Sequence, residues 1–314
     1  MKADAVVLAM GFRPNTEFLA DTGLAMFKGT ILVDEHMLTN DPDIYAVGDC
    51  ALVTNRTTGQ RQWSAMGSTA NITGRLAAMH IAGDRQVLNY PGVLGTGIAK
   101  LPGTNMARTG LTEVAARKAG YDVETVVTAT DDKAHYYPGA STYLTKMICD
   151  KGTHQLLGIQ VVGKGSVDKM VDIAVTAISL GAKLEDLQNC DFAYTPPFST
   201  AIHPFAVTVN VLLNKLSGDF ETFTPAEYAA GAAEGYRTVD CSIQPSIPTV
   251  PYMDLTAING PVAGFDLGEK LLLVCSKGKR AYLVQNRLKF YGYTNTRVLE
   301  GGTLFNTSIS EQQK

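Results

Sequence analysis

Four apolar residues in a row, Leu271-Leu272-Leu273-Val274, run into Cys275, a short loop "SKGK" and the helical spacing of "RAYLVQNRLKFYG". An apolar run of this length ahead of a loop and a helix reads as a strand. "RTVDC" precedes it across a Pro-rich loop, and "TRVLEGG" follows it. The order strand, loop, strand, helix, strand predicts a small α/β unit over residues 237–306.

The chain has 314 residues, 45% of them hydrophobic, enough for two or three domains with real cores. A net charge of −3 without a basic run argues against a nucleic-acid partner. The cysteines, Cys50, Cys149, Cys190, Cys241 and Cys275, are scattered and form no C-x-x-C pair. That pattern speaks against a disulfide framework and a zinc site and fits a reducing cytoplasm. His36, His80, His135 and His154 lack metal-ligand spacing. No apolar stretch approaches the ~20 residues of a membrane span. "ADAVVLAMGF" lacks the features of a signal peptide and reads as a buried strand.

Texture divides the chain into 1–91, 92–218, a linker at 219–236, 237–306 and a polar tail at 307–314. In the first part, "TILVDEHMLTNDPDIYAVGD" reads as short strands ending at Gly48-Asp49. "STANITGRLAAMHIAG" reads as a helix with Ser68 or Thr69 as its N-cap. Residues 92–218 form an α+β unit. It holds a helix between Thr109 or Thr112 and Gly120, a strand at "YDVETVVTAT" and a hairpin turning near Lys151-Gly152. Two long helices follow, "SVDKMVDIAVTAISLG" and "PFAVTVNVLLNKL".

"AMGFRPN" and "YAVGDC", followed by "GSTANITGR", resemble the flavin segments of the pyridine nucleotide-disulfide oxidoreductases, with Met10 where that family has threonine. The resemblance implies FAD. It places Asp49 on the ribityl chain, with Gly11 and Gly48 giving close backbone approach and Gly67, Ser68, Thr69, Ala70 and Asn71 at a helix N-terminus facing the flavin ring. A carboxylate suits sugar-chain hydroxyls, and a helix N-terminus favours an electron-rich ring. Taken singly, Asp49 is also an ordinary turn residue and "GSTAN" an ordinary cap.

"ARTGLTEVAARKAG", "LLGIQVVG", "HYYPGA" and "DFAYTPPFSTAIHPF" resemble the dimerisation domain of the coenzyme A-disulfide reductase and NADH oxidase branch. This implies a homodimer through residues 92–218 and a coenzyme A-type thiol or persulfide substrate. Tyr136 or Tyr137, and Tyr194, fall on the tyrosines that reach the thiol site; tyrosines in Pro-rich corners also simply pack. His203 is read as structural. The family's G-x-G-x-x-G unit, its redox cysteine and its second glycine-rich NAD(P)H unit have no counterpart in these residues. The expectation is a fragment, a truncated form or one half of a split enzyme, inactive alone as a reductase and exposing apolar surface in residues 1–90. Cys50 is expected to be a buried bystander.

"TVDC", "LLLVCSKGKRA" and "GYTNTRVLEGG" resemble a shortened rhodanese-like domain, without the usual G-H-I-x-G-A segment. The strand–loop–helix would put backbone N–H groups around Cys275, and Lys277, Gly278, Lys279 and Arg280 would complete an anion cradle. Both effects favour a thiolate or persulfide. The C-x4-R spacing is one residue shorter than that of cysteine phosphatases, which favours sulfur transfer. The opposing reading makes Cys275 a small buried hydrophobe beside surface lysines. Cys241 is read as structural. Three functions follow: a persulfide or coenzyme A-disulfide reductase with a fused sulfur carrier, a sulfurtransferase on a dimer scaffold, and a non-catalytic dimerisation fragment.

Overall fold

The computed structural model describes residues 3–83 and 89–306; the tail at 307–314 lies outside them. The chain forms two compact units, Met1–Gly95 and Thr96–Lys314.

The first unit is built on four short strands, β1 (Met26–Phe27), β2 (Thr30–Leu32), β3 (Ala51–Thr54) and β4 (Arg61–Trp63), and helix α1 (Gly67–Ile81). The strands pair in chain order, β2 with β3 in parallel and the outer pairs antiparallel. Ile31, Val33, Met37, Val53 and Ala77 are buried in its small core. Two expectations fail here. The segment 4–11 is no buried strand: it pairs with no strand among the described residues, and Val6, Val7, Leu8 and Met10 are all at least 79% exposed. Without a ladder partner its backbone stays in solvent and its side chains have no second layer to pack on. Its near end is held where Phe12 meets Trp63 edge-on at 5.4 Å and where Thr16 donates to the Gly29 carbonyl. Nor is "IYAVGD" a strand, beyond one bridge between Tyr45 and Leu38; Gly48–Cys50 turns as a 3-10 helix instead. Cys50 is half-buried.

The second unit starts with β5 (Gly97–Leu101), β6 (Thr104–Gly110), α2 (Glu113–Lys118), β7 (Val123–Asp131), β8 (Thr142–Asp150) and β9 (Leu156–Gly163). These strands, rich in Val, Ile and Thr, form an antiparallel sheet in the order β5-β6-β9-β8-β7. The expected hairpin is β8–β9, and Thr112 caps α2 by accepting from Ala115 N–H at 3.2 Å. Helices α3 (Val167–Ser179), the short α4 (Leu184–Leu187) and α5 (Pro204–Leu216) follow. On α3 the buried residues are Val167, Met170, Val171, Ala174 and Ala177, the i, i+3, i+4, i+7 stripe of a helix lying on a sheet. They share one core with Met147, Ile159, Phe205, Val209 and Leu212.

The chain then continues as β10 (Thr222–Phe223), α6 (Pro225–Ala229), β11 (Arg237–Asp240), β12 (Leu271–Val274), α7 (Lys279–Phe290), β13 (Thr296–Leu299) and α8 (Gly302–Phe305). The four strands form a wholly parallel sheet in the order β10-β13-β12-β11. Leu271–Val274 is central and no more than 1% exposed, as its unbroken apolar character requires. Each such side chain contributes about 1.5–3 kcal/mol on burial. Residues 219–236, read as a linker, supply the edge strand β10 and α6. Phe220 packs edge-on against Tyr282 at 5.1 Å, so the antiparallel and parallel parts share one continuous core.

A buried carboxylate ties the two sheets together. Glu300, 1% exposed, accepts from Val127 N–H at 2.7 Å, Thr222 Oγ1 at 2.7 Å and Lys215 Nζ at 2.8 Å. Lys215 also reaches the Thr125 carbonyl at 2.8 Å and Glu124 at 3.2 Å. Burial alone would lower the Lys215 pKa; Glu300 and Glu124 outweigh it and hold the ammonium charged. Lys215→Met leaves Glu300 buried and unpaired, so it is expected to cost about 3–5 kcal/mol in denaturant unfolding monitored by circular dichroism. An unchanged midpoint would refute the tie.

Candidate functional site

Cys275 leaves β12 at the carboxyl end of the parallel sheet, the end where open α/β sheets place their sites. It is 3% exposed, and its Sγ accepts from Ala281 N–H of α7 at 3.5 Å. Gly278 caps α7, and α8 caps the loop from the other side. Thr303 N–H donates to the Cys275 carbonyl and Leu304 N–H to that of Ser276, each at 3.0 Å. Gly302 makes this possible: its φ is +56°, and a Cβ there would lie 2.1 Å from the Cys275 carbonyl oxygen.

The three cations are not an open cradle. Lys277 pairs with Asp131 of β7. Arg280 donates to Asp254 at 2.6 Å and to the Ser242 carbonyl at 3.1 Å. Hydrogen bonds from Thr256, and then Arg280, hold the Asp254 carboxyl below its ordinary range. Lys279 alone is exposed. The loop that receives Arg280 is organised by Asp240, 1% exposed, which accepts from Ser242, Ser246 and Ile247 N–H groups. Burial would raise its pKa; these hydrogen bonds prevail and lower it. Asp131, Asp240 and Asp254 were missed in the sequence because each lies far along the chain from Cys275 and carries no motif.

The flavin-like residues converge in the first unit. Gly48, at φ +72°, brings the turn against α1, where a Cβ would sit 3.4 Å from Ala70 Cβ; its N–H donates to Thr73 Oγ1 at 3.2 Å. Asp49 is exposed beside the first turn of α1, and its carboxylate has no partner among the described residues. Met66, not Ser68 or Thr69, precedes α1, and it makes no side-chain cap bond. Ser68 and Thr69 therefore lie within the first turn, whose N–H groups lack intrahelical acceptors. Thr69 Oγ1 is 2.9 Å from Ser64 Oγ, and Asn71 donates back to the Gly67 carbonyl at 2.8 Å. Gly11 lies in the exposed N-terminal segment. The exposed Asp49 carboxylate and the first-turn N–H groups of α1 thus stand side by side, an acceptor beside a set of donors.

The residue just before "HYYPGA" reaches "DFAYTPPFS": Ala134 N–H donates to the Pro196 carbonyl at 3.4 Å. Tyr136, Tyr137 and Tyr194 are 69%, 38% and 51% exposed, beside exposed Phe198 and Ile202. His203 is buried under this corner and accepts from Phe205 N–H at 3.2 Å. Burial, then the charge of Lys169, lowers its pKa to about 4. It borders a cavity of about 280 Å³ with Lys133, Tyr143, Ser166, Lys169 and Phe198. A larger cavity of about 500 Å³ opens between β7, α5 and the Cys275 loop, with Asn210, Asn214, Tyr282, Lys277 and Lys279 in its wall. Among the described residues no group of three His, Cys, Asp or Glu could hold a metal, and no helix is long and apolar enough to cross a membrane.

Residues 1–73 match the family model described as pyridine nucleotide-disulphide oxidoreductase, and residues 101–206 match that of its dimerisation domain. The chain belongs to this oxidoreductase family. It is 37% identical over 212 residues to the NAD(P)H coenzyme A polysulfide/persulfide reductase of Pyrococcus horikoshii, covering 67% of this chain and 47% of that protein. It therefore spans about half the length of the curated relatives it matches. The NAD-dependent persulfide reductase from A. fulgidus superposes with a TM-score of 0.88 at 35% identity, over 96% of this chain and 56% of that one. The reduced CoADR-RHD of Bacillus anthracis gives 0.89 at 28% identity, over 99% and 57%.

Two outcomes follow for this family member. Gly302→Ala is expected to dislodge the Cys275 loop, read as a rise in the alkylation rate of Cys275 while far-UV circular dichroism is retained; an unchanged rate would refute the clamp. His203 stays neutral in the folded chain down to about pH 4, whereas unfolded histidine takes up its proton near pH ~6.5. Stability tied to it is complete above pH ~6.5 and drains as pH falls toward about 4, by on the order of 3 kcal/mol. Thermal melts of the native chain and of His203→Asn across this window should diverge by that amount; parallel curves would refute it.

Proposed function

We propose that the chain contributes to an FAD- and NAD(P)H-dependent reductase of coenzyme A-type disulfides or persulfides, with a rhodanese-like sulfur carrier at Cys275. The observation that carries this reading is a cysteine at the carboxyl end of a parallel sheet, its sulfur facing Ala281 N–H in the first turn of α7. The likeness to persulfide reductases, which extends over nearly the whole chain, supports it. The reductase would work as a cytoplasmic homodimer through residues 92–218, whose exposed Tyr136, Tyr137, Tyr194, Phe198 and Ile202 suit a covered face.

In this reading Asp49 accepts hydrogen bonds from the sugar chain of FAD, and the free N–H groups at Gly67, Ser68 and Thr69 face its ring. Bound FAD supplies two-electron transfer between nicotinamide and sulfur. Tyr137 and Tyr194 donate to a thiolate leaving group, and Tyr136 borders the thiol. Lys279 attracts the anionic substrate. Arg280, held by Asp254, orients the loop that carries Cys275, and Gly278 shapes its turn.

A non-catalytic reading is favoured by the burial of Cys275 and by the ion pairs that occupy Lys277 and Arg280. A sulfurtransferase on a dimer scaffold stands between the two. Sulfur transfer from thiosulfate to cyanide, measured as thiocyanate, separates them. The expected result is transfer that Cys275→Ala abolishes. Background thiocyanate from the native chain, with a stable dimer by sedimentation, would leave the interaction fragment as the function.

A further inference from the structure

Cys241 and Cys275 are distant in sequence and neighbours in the sheet. Strands β11 and β12 run parallel with Asp240 opposite Val274, so the next residue on each strand is a cysteine. Cys241 N–H donates to the Val274 carbonyl at 2.7 Å, which fixes that register past the strand ends. Neighbouring strands lie about 4.8 Å apart. That spacing falls within the ~4.4–6.8 Å between Cα atoms that a disulfide spans. Both side chains enter the same core, with Met253, Ala281 and Val284, so both point to the α7 side of the sheet.

Their surroundings differ. Cys275 lies next to exposed Ser276, whereas Cys241 is 0% exposed and its Sγ donates to the Val239 carbonyl at 3.7 Å. Burial, and then the neighbouring Cys275, push the Cys241 thiol above its ordinary range. Cys275 Sγ, by contrast, faces the Ala281 N–H at 3.5 Å, so attack by Cys241 needs its proton to pass to the departing sulfur in the same step. A small hydrophobe suffices to fill the Cys241 position, but it would not need a sulfur in register with another at the end of the sheet where sites form.

We propose that Cys241 is the resolving thiol for sulfur carried on Cys275, releasing it as hydrogen sulfide. The proposal rests on the reading of Cys275 as a sulfur carrier. In the step, Cys241 Sγ attacks Cys275 Sγ of the persulfide. A bond forms between the two cysteine sulfurs, and the bond from Cys275 Sγ to the terminal sulfur breaks. The terminal sulfur leaves with the electron pair of that bond and with the Cys241 thiol proton. One persulfide and one thiol give one disulfide and one hydrogen sulfide. The released sulfur is reduced by two electrons, and the two cysteine sulfurs are oxidised by the same number. A dithiol reductant restores the pair.

The test treats the reduced 314-residue chain with inorganic polysulfide, measures sulfide, and maps the cysteine peptides by mass spectrometry. The expected result is a Cys241–Cys275 disulfide with sulfide release. Cys241→Ala should instead hold one extra sulfur on Cys275 and release sulfide more slowly by on the order of tenfold or more, as intramolecular attack is lost. Extra sulfur on Cys275 of the native chain without the disulfide overturns the resolving role and leaves the sulfur-carrier reading standing. No sulfur on Cys275 in either protein, and no disulfide, overturns both. A second measurement does not depend on the variant folding: diamide oxidation of the native chain must link the two peptides, and failure to do so overturns the proposal.

Discussion

The buried Glu300 carboxylate is the constraint on which the second unit depends. It follows the last parallel strand, yet its acceptors are filled from three other places: the backbone of β7, the ammonium of α5 and the hydroxyl of β10. A carboxylate without water is tolerated only when its lone pairs are filled and its charge is met. Satisfying Glu300 therefore fixes where the parallel sheet stands against the antiparallel one. It also fixes the Gly301-Gly302 turn that follows, and through Gly302 the carbonyls of Cys275 and Ser276. The Lys277–Asp131 pair closes the same seam a few residues away. The loop that carries Cys275 is thus positioned by contacts with β7 as much as by its own module.

Much of this fold was legible in local pattern. The stripe on α3, the Thr112 cap, the β8–β9 hairpin and the apolar run of β12 each encode their structure within a dozen residues, because periodicity and capping are local physics. What escaped was non-local. Residues 219–236 read as a linker because "PAEYAAGAAEG" carries no strand signal; β10 is a strand only because β13 offers it an edge. The segment 4–11 has the composition of a buried strand but finds no strand to pair with among the described residues, and it lies exposed. Strand propensity states a readiness to pair and does not supply the partner.

The site divides in the same way. Cys275 and Gly278 sit in one short loop and Arg280 in the first turn of α7, one contiguous stretch that could be found from spacing. The partners that decide their electrostatics, Asp131, Asp240 and Asp254, are brought in by three different elements. They change the meaning of the motif: two of the three cations near the cysteine are already paired, and only Lys279 remains exposed. Charge counted along a sequence overstates the field at a sulfur whenever carboxylates fold in beside the cations.

That redistribution bears on what kind of sulfur chemistry the loop can support. A nucleophile that depends on an open ring of cations would be exposed and strongly charged. Here the sulfur is buried, faces one N–H and lies beside a second thiol whose pKa burial raises. Such a setting disfavours a free anion that waits for a bulky acceptor. It favours a step in which negative charge leaves on a small group and a proton travels with it, since the neutral product crosses an apolar wall at little cost. Release of hydrogen sulfide meets both conditions. Burial, which argues against Cys275 as an exposed nucleophile, serves in the proposed step to keep Cys241 and Cys275 away from competing thiols in solution.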